Sequence, residues 1–159
     1  MNDRNPQSRQ VQHIIDVQVA SRAEHIPTEE RFQSWVNTAL QGTDKSNEIC
    51  IRIVDEEEAA ELNSKWRDKD GPTNVLSFPV DTPPEIEPRL LGDVIVCAQV
   101  VAREADEQDK PAEHHWAHLV IHGTLHLLGY DHINEEDAVI MESREAELLE
   151  LLKIENPYN

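Results

Sequence analysis

The sequence HGTLHLLGYDH at residues 122–132 contains the spacing around which the rest of the chain can be interpreted. His122 and His126 are four residues apart, so on a helix their rings project from one face. Gly129 readily takes the left-handed conformation that ends a helix, and the reversed chain then brings His132 back toward the same point. Three imidazole ligands leave one position of a tetrahedral metal ion open, which is typical of catalytic zinc sites. The sequence therefore predicts a metal centre at His122, His126 and His132.

The position after the first of these histidines separates two kinds of metal chemistry. The same spacing occurs in metzincin proteases as HExxHxxGxxH, where the glutamate is the general base. This chain has Gly123 at that position, so the metal geometry is kept while the base for peptide hydrolysis is missing. Gly123 also has a structural interpretation, because it would let the helix pack closely against a sheet. A metal-dependent peptidase stays an alternative function at this point.

Neighbouring polar residues have more than one interpretation. His118 lies one turn before the motif and shares its face, which is compatible with a supporting position behind the metal ligands. For His114, His115 and His118 alike, however, the expectation is an exposed or helix-capping position. Tyr130 is compatible with stacking on a substrate or with packing. Asp131 is compatible with orienting a ligand histidine or with capping a helix.

On both sides of this motif, the spacing of apolar residues predicts strands and helices. Strands are predicted at 13–19, 48–54, 74–79 and 90–98, and helices from about 28 to Gly42, at 56–66, and at about 99–107, 112–128 and 134–153. Strand 90–98 is nearly continuously apolar and is therefore central, whereas Pro79 favours an edge position for 74–79. The last helix is expected to turn inward Ile140, Met141, Leu148, Leu151 and Leu152. This order predicts an α+β or α/β fold with a small mixed sheet packed by helices.

Length and composition limit the class of protein. A chain of 159 residues corresponds to one domain, predicted over 1–159 with residues 1–12 as a loose lead-in. No apolar run approaches the roughly 18 residues of a membrane-spanning helix, and the polar first residues do not resemble a secretory signal. Cys50 and Cys97 cannot build a disulfide framework and favour a reducing compartment. We therefore expect a cytoplasmic protein that does not associate with membranes.

The charge balance restricts how the protein can hold an anion. With 14 Lys+Arg against 32 Asp+Glu, the formal net charge is −18, opposite to that of a generic binder of nucleic acid or anionic membranes. An anionic substrate would need a local cluster of cations, and Lys65, Arg67 and Lys69 form the densest one. Arginine can grip a phosphate with two parallel hydrogen bonds. Cations at a helix end also complement the helix dipole, so the residues alone leave both interpretations of Arg67 open.

Several blocks of the sequence, in this order, resemble the YbeY family of bacterial endoribonucleases, which act in ribosomal RNA maturation. The blocks are LNSKWRDKDGPTNVLSFP at 62–79, LGDVIV at 91–96 and HGTLHLLGYDH at 122–132, followed by a long acidic helix. Together they cover about residues 50–150, and Trp66 stands where a tyrosine is expected. The resemblance implies a four-stranded mixed sheet, and together with the five helices predicted from the residue patterns this gives an α+β fold. It also implies that 74–79 is an antiparallel edge strand beside the metal-binding helix.

The resemblance further implies the chemistry. It implies one catalytic zinc on the three histidines and a functional Arg67 facing it across a cleft. We therefore predict a single-strand-specific, zinc-dependent endoribonuclease that acts on ribosomal RNA, not DNA, with the small ribosomal subunit as partner. The further substrate contacts predicted are Lys65, Lys69, Asn74 and Ser77, although ordinary turn and strand polarity is the competing interpretation of Asn74 and Ser77. A non-catalytic, metal-stabilised ribosome assembly factor is the second alternative.

Overall fold

The structure is a computed structural model that describes residues 11–158. Within this range, strands and helices follow one another in the predicted order. They are β1 (Ile14–Ala20), α1 (Glu29–Ala39), β2 (Asn47–Val54), α2 (Glu56–Arg67), β3 (Val75–Pro79), β4 (Arg89–Cys97), α3 (Ala98–Glu107), α4 (Ala112–Leu127) and α5 (Glu135–Leu151). The first ten residues of the predicted lead-in lie outside the described residues. None of the helices in the described range has the length and apolar character needed to span a membrane.

The four strands form one mixed sheet in the order β1-β2-β4-β3. β1, β2 and β4 are parallel, and β3 pairs antiparallel with β4. The predicted α+β fold is therefore confirmed, with β3 at the edge and β4 in the interior of the sheet. β3 ends at Pro79, opposite Gly92 of β4, which suits a residue that has no N–H to donate to a ladder.

Helix α4 is the centre of the molecule. It contacts β3 and β4 on one side and α1, α3 and α5 on the others. Apolar side chains point in several directions from it, and the buried ones include Trp116, Leu119, Ile121 and Leu125. Phe32 of α1 meets the Trp116 ring edge-on at 5.5 Å between centroids. A helix enclosed in this way holds the side chains on its remaining face in fixed positions.

The close packing of α4 on the sheet depends on Gly123. A Cβ atom at this position would lie 2.6 Å from Val94 Cγ1 and 3.2 Å from Ser77 Oγ. The Ser77 hydroxyl donates to the Gly123 carbonyl at 3.0 Å, which ties β3 to the helix. A glutamate side chain has no room here, so the close-packing interpretation of Gly123 accounts for the absence of a metzincin-type base.

Helix α5 covers the other side of α4 with a stripe that differs from the prediction. Its buried residues are Met141, Glu145, Leu148 and Leu149. The expectation that Ile140 and Leu151 turn inward is wrong, because both are 59% exposed. The helical period that starts at Met141 continues through Glu145 to Leu148, and it leaves these two apolar residues on the flanks. A charged residue therefore occupies the middle of the buried stripe.

Candidate active site

The three motif histidines converge at one end of α4. His122 and His126 come from successive turns of the helix, with ring centroids 4.7 Å apart. The chain then reverses at Gly129, whose φ is +108°, and the Tyr130 N–H caps the helix by donating to the Leu125 carbonyl at 3.0 Å. This reversal brings the ring of His132 to 4.9 Å from that of His126. One ligand nitrogen from each histidine lies within 4.8 Å of the others.

The chemistry of this triad fits a single divalent ion such as zinc. Imidazole nitrogens are ligands that zinc prefers, and they bind in the neutral form. Burial lowers the pKa of His126, and the neighbouring His122 and His132 lower it further, so the ring is neutral at physiological pH. His122 uses Nδ1 for a hydrogen bond to Glu145, which leaves Nε2 available as a ligand. The residues present therefore suit an ion with three protein ligands.

Glu145 supports the triad from behind, and the sequence-based reasoning missed it. The side chain is fully buried, and Oε2 accepts a hydrogen bond from His122 Nδ1 at 2.8 Å. Oε1 accepts from His118 Nε2 at 2.8 Å and from the Tyr158 hydroxyl at 2.6 Å. Burial alone would raise the pKa of Glu145, but the hydrogen bonds from His118, His122 and Tyr158 lower it to about 2. The carboxylate is thus charged, and it fixes the tautomer and orientation of His122.

The histidines before the motif are not the exposed residues that were expected. The His115 side chain is 4% exposed, and its Nε2 lies 2.8 Å from Glu104 Oε1. The His118 side chain is 14% exposed and is bound to Glu145. Both expectations are wrong for the same physical reason. Each ring points into the protein, where a carboxylate satisfies its Nε2. Among the described residues, Nδ1 of each ring is buried without a hydrogen-bond partner.

A cleft of about 580 Å³ opens in front of the triad. Its walls include His122, His126 and His132 together with Arg67 and Lys69. The Arg67 guanidinium crosses the edge of the sheet, where Nη2 donates to the Ser77 carbonyl at 3.0 Å. Residues far apart in sequence, at the end of α2 and around α4, therefore line one cavity.

Of the other predicted substrate contacts, two line the cleft and one lies outside it. Asn74 and Ser77 line the cleft, but the Asn74 amide donates to Glu104 Oε1 at 3.1 Å and the Ser77 hydroxyl is engaged with α4. Lys65 is not among the lining residues, and its Nζ lies 5.3 Å from the centre of the Trp66 ring. The structure thus brings Arg67 and Lys69 to the triad, while Asn74 and Ser77 use their side chains within the protein.

Two residues of the reversed chain complete the rim of the cleft. The Asp131 carboxylate accepts a hydrogen bond from the His132 N–H at 2.8 Å, which shapes the loop that carries the third histidine. Tyr130 packs against the main core cluster and also lines the cleft. The packing interpretation of Tyr130 is therefore sufficient to explain its position.

The small α+β domain, with a histidine triad suited to one metal ion in an open cleft, has the features of a metal-dependent hydrolase. A family model described as Endoribonuclease YbeY matches residues 16–153. Endoribonuclease YbeY of Colwellia psychrerythraea (strain 34H) is 53% identical over 150 residues, which cover 92% of this chain and 97% of the relative. A Thermotoga maritima protein solved in solution is 26% identical, with a TM-score of 0.60 over 84% of this chain and 87% of that one. The chain belongs to the YbeY endoribonuclease family and is by that membership an enzyme.

Proposed function

We propose that this protein is a single-strand-specific, zinc-dependent endoribonuclease that acts on ribosomal RNA in the cytoplasm during maturation of the small ribosomal subunit. The observation that carries the proposal is the shared cleft, which places Arg67 and the histidine triad around one cavity. Family membership supports RNA as the substrate. The free thiols of Cys50 and Cys97 are compatible with a reducing compartment.

In this proposal His122, His126 and His132 hold the zinc ion. When bound, zinc acts as a Lewis acid toward phosphoryl oxygens and lowers the pKa of water. The protein contributes three imidazoles held by α4 and by the reversed chain after Gly129. Glu145 keeps His122 in the tautomer whose Nε2 faces the cleft. The ligands are therefore held in place before the substrate arrives, which avoids reorganisation during the reaction.

Arg67 binds the phosphodiester. Within residues 11–158, Nη2 is the guanidinium nitrogen that is hydrogen-bonded, to the Ser77 carbonyl, so other N–H groups of the guanidinium remain to meet phosphate oxygens. Its charge stabilises the negative charge that develops on the phosphoryl group, and Lys69 adds a second cation to the same wall. Asn74 and Ser77 contribute to the wall along which the RNA lies.

The alternatives are less well supported. A peptidase needs a base at the position of Gly123, where a Cβ atom would already meet Val94 at 2.6 Å. A purely structural metal site is usually closed by four protein ligands, whereas in the described part of the chain this group consists of three histidines. Both observations favour a hydrolytic site for a phosphodiester.

The test is cleavage of defined substrates by the zinc-loaded protein. We expect cleavage of single-stranded RNA, little cleavage of the same RNA in a perfect duplex, and no cleavage of an unstructured peptide. A chelator should abolish the activity, and His126→Ala should lose both the activity and most of the bound zinc by elemental analysis. Chelator-sensitive peptide cleavage without RNA cleavage would instead support a peptidase. Full zinc occupancy in the His126→Ala protein would contradict the assigned ligands.

A further inference from the structure

The exposed indole of Trp66 is a feature that the proposed function leaves unused. Of the three tryptophans in the chain, Trp35 and Trp116 are buried in the core at 4% and 3% exposure, whereas Trp66 is 60% exposed. A single exposed hydrophobic residue is ordinary on a protein surface. What calls for an explanation is its place next to Arg67, which lines the cleft.

Trp66 lies next to Arg67 in space as well as in sequence. Both belong to the last turn of α2, and both contact consecutive residues of the edge strand β3. The Arg67 guanidinium donates to the Ser77 carbonyl at 3.0 Å. The Trp66 ring meets Phe78 edge-on, with ring centroids 6.5 Å apart and planes at 73°. The indole therefore shares the last turn of α2 with the guanidinium that lines the cleft, and Trp66 itself lies outside the lining residues.

Three cations lie close to the indole in sequence, where Lys65, Arg67 and Lys69 alternate with Asp68 and Asp70. Lys65 Nζ lies 5.3 Å from the ring centroid, and Lys69 lies in the loop that follows α2. In a chain of net charge −18, residues 65–70 therefore carry one more positive than negative charge, which lessens the repulsion of a polyanion there. An exposed π-face among cations is the combination that binds single-stranded nucleic acid.

We propose that Trp66 is a stacking platform for an unpaired base that flanks the phosphate held by Arg67. The subsite rests on the proposed ribonuclease function and adds to it a second point of contact. Phe78 packs against the indole with the ring planes at 73°, and the indole is 60% exposed, so part of its surface is open to a base. The flexible Lys65 side chain moves from the ring to an adjacent phosphate when the base stacks. A base inside a duplex cannot reach the indole, so the subsite also provides a physical reason for a preference for single strands.

Tryptophan fluorescence reports this contact directly. The experiment mixes the zinc-loaded protein with a short unstructured RNA by stopped flow, so that emission is recorded before cleavage. We expect quenching in the wild-type protein, because the exposed indole stacks on a base. Trp66→Phe should lose the quenching signal, since the two remaining tryptophans are buried. Labelled RNA should still bind the Trp66→Phe protein, as measured by anisotropy.

Steady-state kinetics with two substitutions separate stacking from simple apolar packing. Trp66→Leu keeps an apolar group against Phe78 but removes the π-face, and we expect KM for RNA to rise about fivefold or more with kcat little changed. Trp66→Phe keeps a stacking ring and should stay within about threefold of the wild type. Val139→Ala is the matched control, because Val139 is also an exposed apolar residue at 62% and lies on α5, away from the end of α2 that carries Arg67.

The outcomes distinguish the subsite from the enzyme. RNA cleavage without quenching, together with a wild-type KM in Trp66→Leu, would overturn the stacking platform and leave the ribonuclease proposal intact. A wild-type protein that neither binds nor cleaves RNA would overturn both. An equal rise in KM for Trp66→Leu and Trp66→Phe would also contradict stacking, because it would show that only the shape of the indole matters.

Discussion

Arg67 is the side chain on which substrate binding depends most in the proposed mechanism. We expect Arg67→Ala to keep its fold and zinc content but to lose RNA cleavage. A charge-assisted hydrogen bond contributes roughly 1.5–3 kcal/mol, so the rate should fall about tenfold to more than a hundredfold. Arg67→Lys should restore little, because lysine keeps the charge without the planar fork. The measurement is kcat/KM on single-stranded RNA at matched zinc content.

Arg31→Ala provides the control for this substitution. Arg31 is an exposed arginine on α1 that pairs with Glu113 at 2.9 Å, and it is not part of the cleft wall. Its removal changes the net charge by the same amount and should leave cleavage near the wild-type rate. Equal activities of the Arg67→Ala and Arg31→Ala proteins would show that Arg67 is a solvated helix-end cation.

Glu145 is expected to affect zinc binding although it lies behind the ligand histidines. Glu145→Gln retains the size of the side chain but loses one carboxylate acceptor, so His118 and His122 can no longer both donate to it. Loss of such a supporting hydrogen bond costs about tenfold to a hundredfold in metal affinity. The measurement is a competition titration of zinc-free protein against a chelating dye. Glu150→Gln, on the exposed side of the same helix, should bind zinc like the wild type, and an unchanged affinity in Glu145→Gln would contradict the supporting role.

The junction between β2 and α2 is tied to two other parts of the fold through Asp55. Its carboxylate accepts hydrogen bonds from Gln99 at the start of α3, at 2.7 Å, and from Ser21 after β1, at 2.5 Å. The hydrogen bonds from Gln99 and Ser21 lower the pKa of Asp55 below its ordinary value of 3.8. A carboxyl with a lower pKa in the folded state stabilises the fold fully above that ordinary value. This contribution is lost as the pH falls through the folded-state pKa.

We therefore expect Asp55→Asn to lower the free energy of unfolding at pH 7. The difference from the wild type should persist down to about pH 5 and shrink below the ordinary pKa of aspartate. Urea denaturation over a pH series measures this difference, with Asp70→Asn in an exposed loop as the control. The same difference at pH 7 and at pH 3 would show that the Asp55 charge does not contribute.

The helices and strands were predictable because their signals are local, whereas part of the site was not. Alternation, helical spacing and Pro79 were enough to place β3 at the edge, and the HxxxH spacing with Gly129 was enough to bring the three histidines together. Glu145 was not predicted because the inner face of α5 was inferred from apolar residues alone. Its position four residues after Met141 and three before Leu148 is the signal that could have revealed it. Its partners, His118 and Tyr158, lie on other segments, and only the packed structure shows that they meet.

The position of Arg67 in the same cleft as the triad could not be predicted from local sequence patterns either. α2 and α4 are separated by two strands and a helix, and no residue pattern within either helix states how they face each other. The antiparallel pairing of β3 with β4 creates the edge that Arg67 crosses to reach the Ser77 carbonyl. From the residues alone, a functional cation and a solvated helix end were equally consistent with the sequence, and the resemblance to a family decided between them.

The net charge of −18 makes the whole molecule repel RNA, and this has a measurable consequence. The Debye length is about 30 Å at 0.01 M salt and about 10 Å at 0.1 M. At low salt the repulsion from the entire acidic surface therefore reaches the RNA, whereas at moderate salt most of it is screened. Contacts of Arg67 and Lys69 with phosphate act over a few ångströms and are screened less. We expect KM for RNA to fall between these two salt concentrations and to rise again at higher salt.

At low salt this dependence is opposite to that of a basic nucleic-acid-binding protein. The affinity of such a protein falls steadily with salt, because counterions released on binding enter a more concentrated solution at less gain in free energy. The double variant Glu135→Gln, Glu136→Gln removes two acidic charges at the start of α5, just after the loop that carries His132. It should lower KM at 0.01 M salt and have a smaller effect at 0.1 M, because screening has already weakened the repulsion there. The value of kcat should stay constant across the series, since the long-range field acts on encounter. If KM instead rises steadily from the lowest salt concentration, attraction of RNA by Arg67 and Lys69 is stronger than its repulsion by the acidic surface even when that repulsion is unscreened.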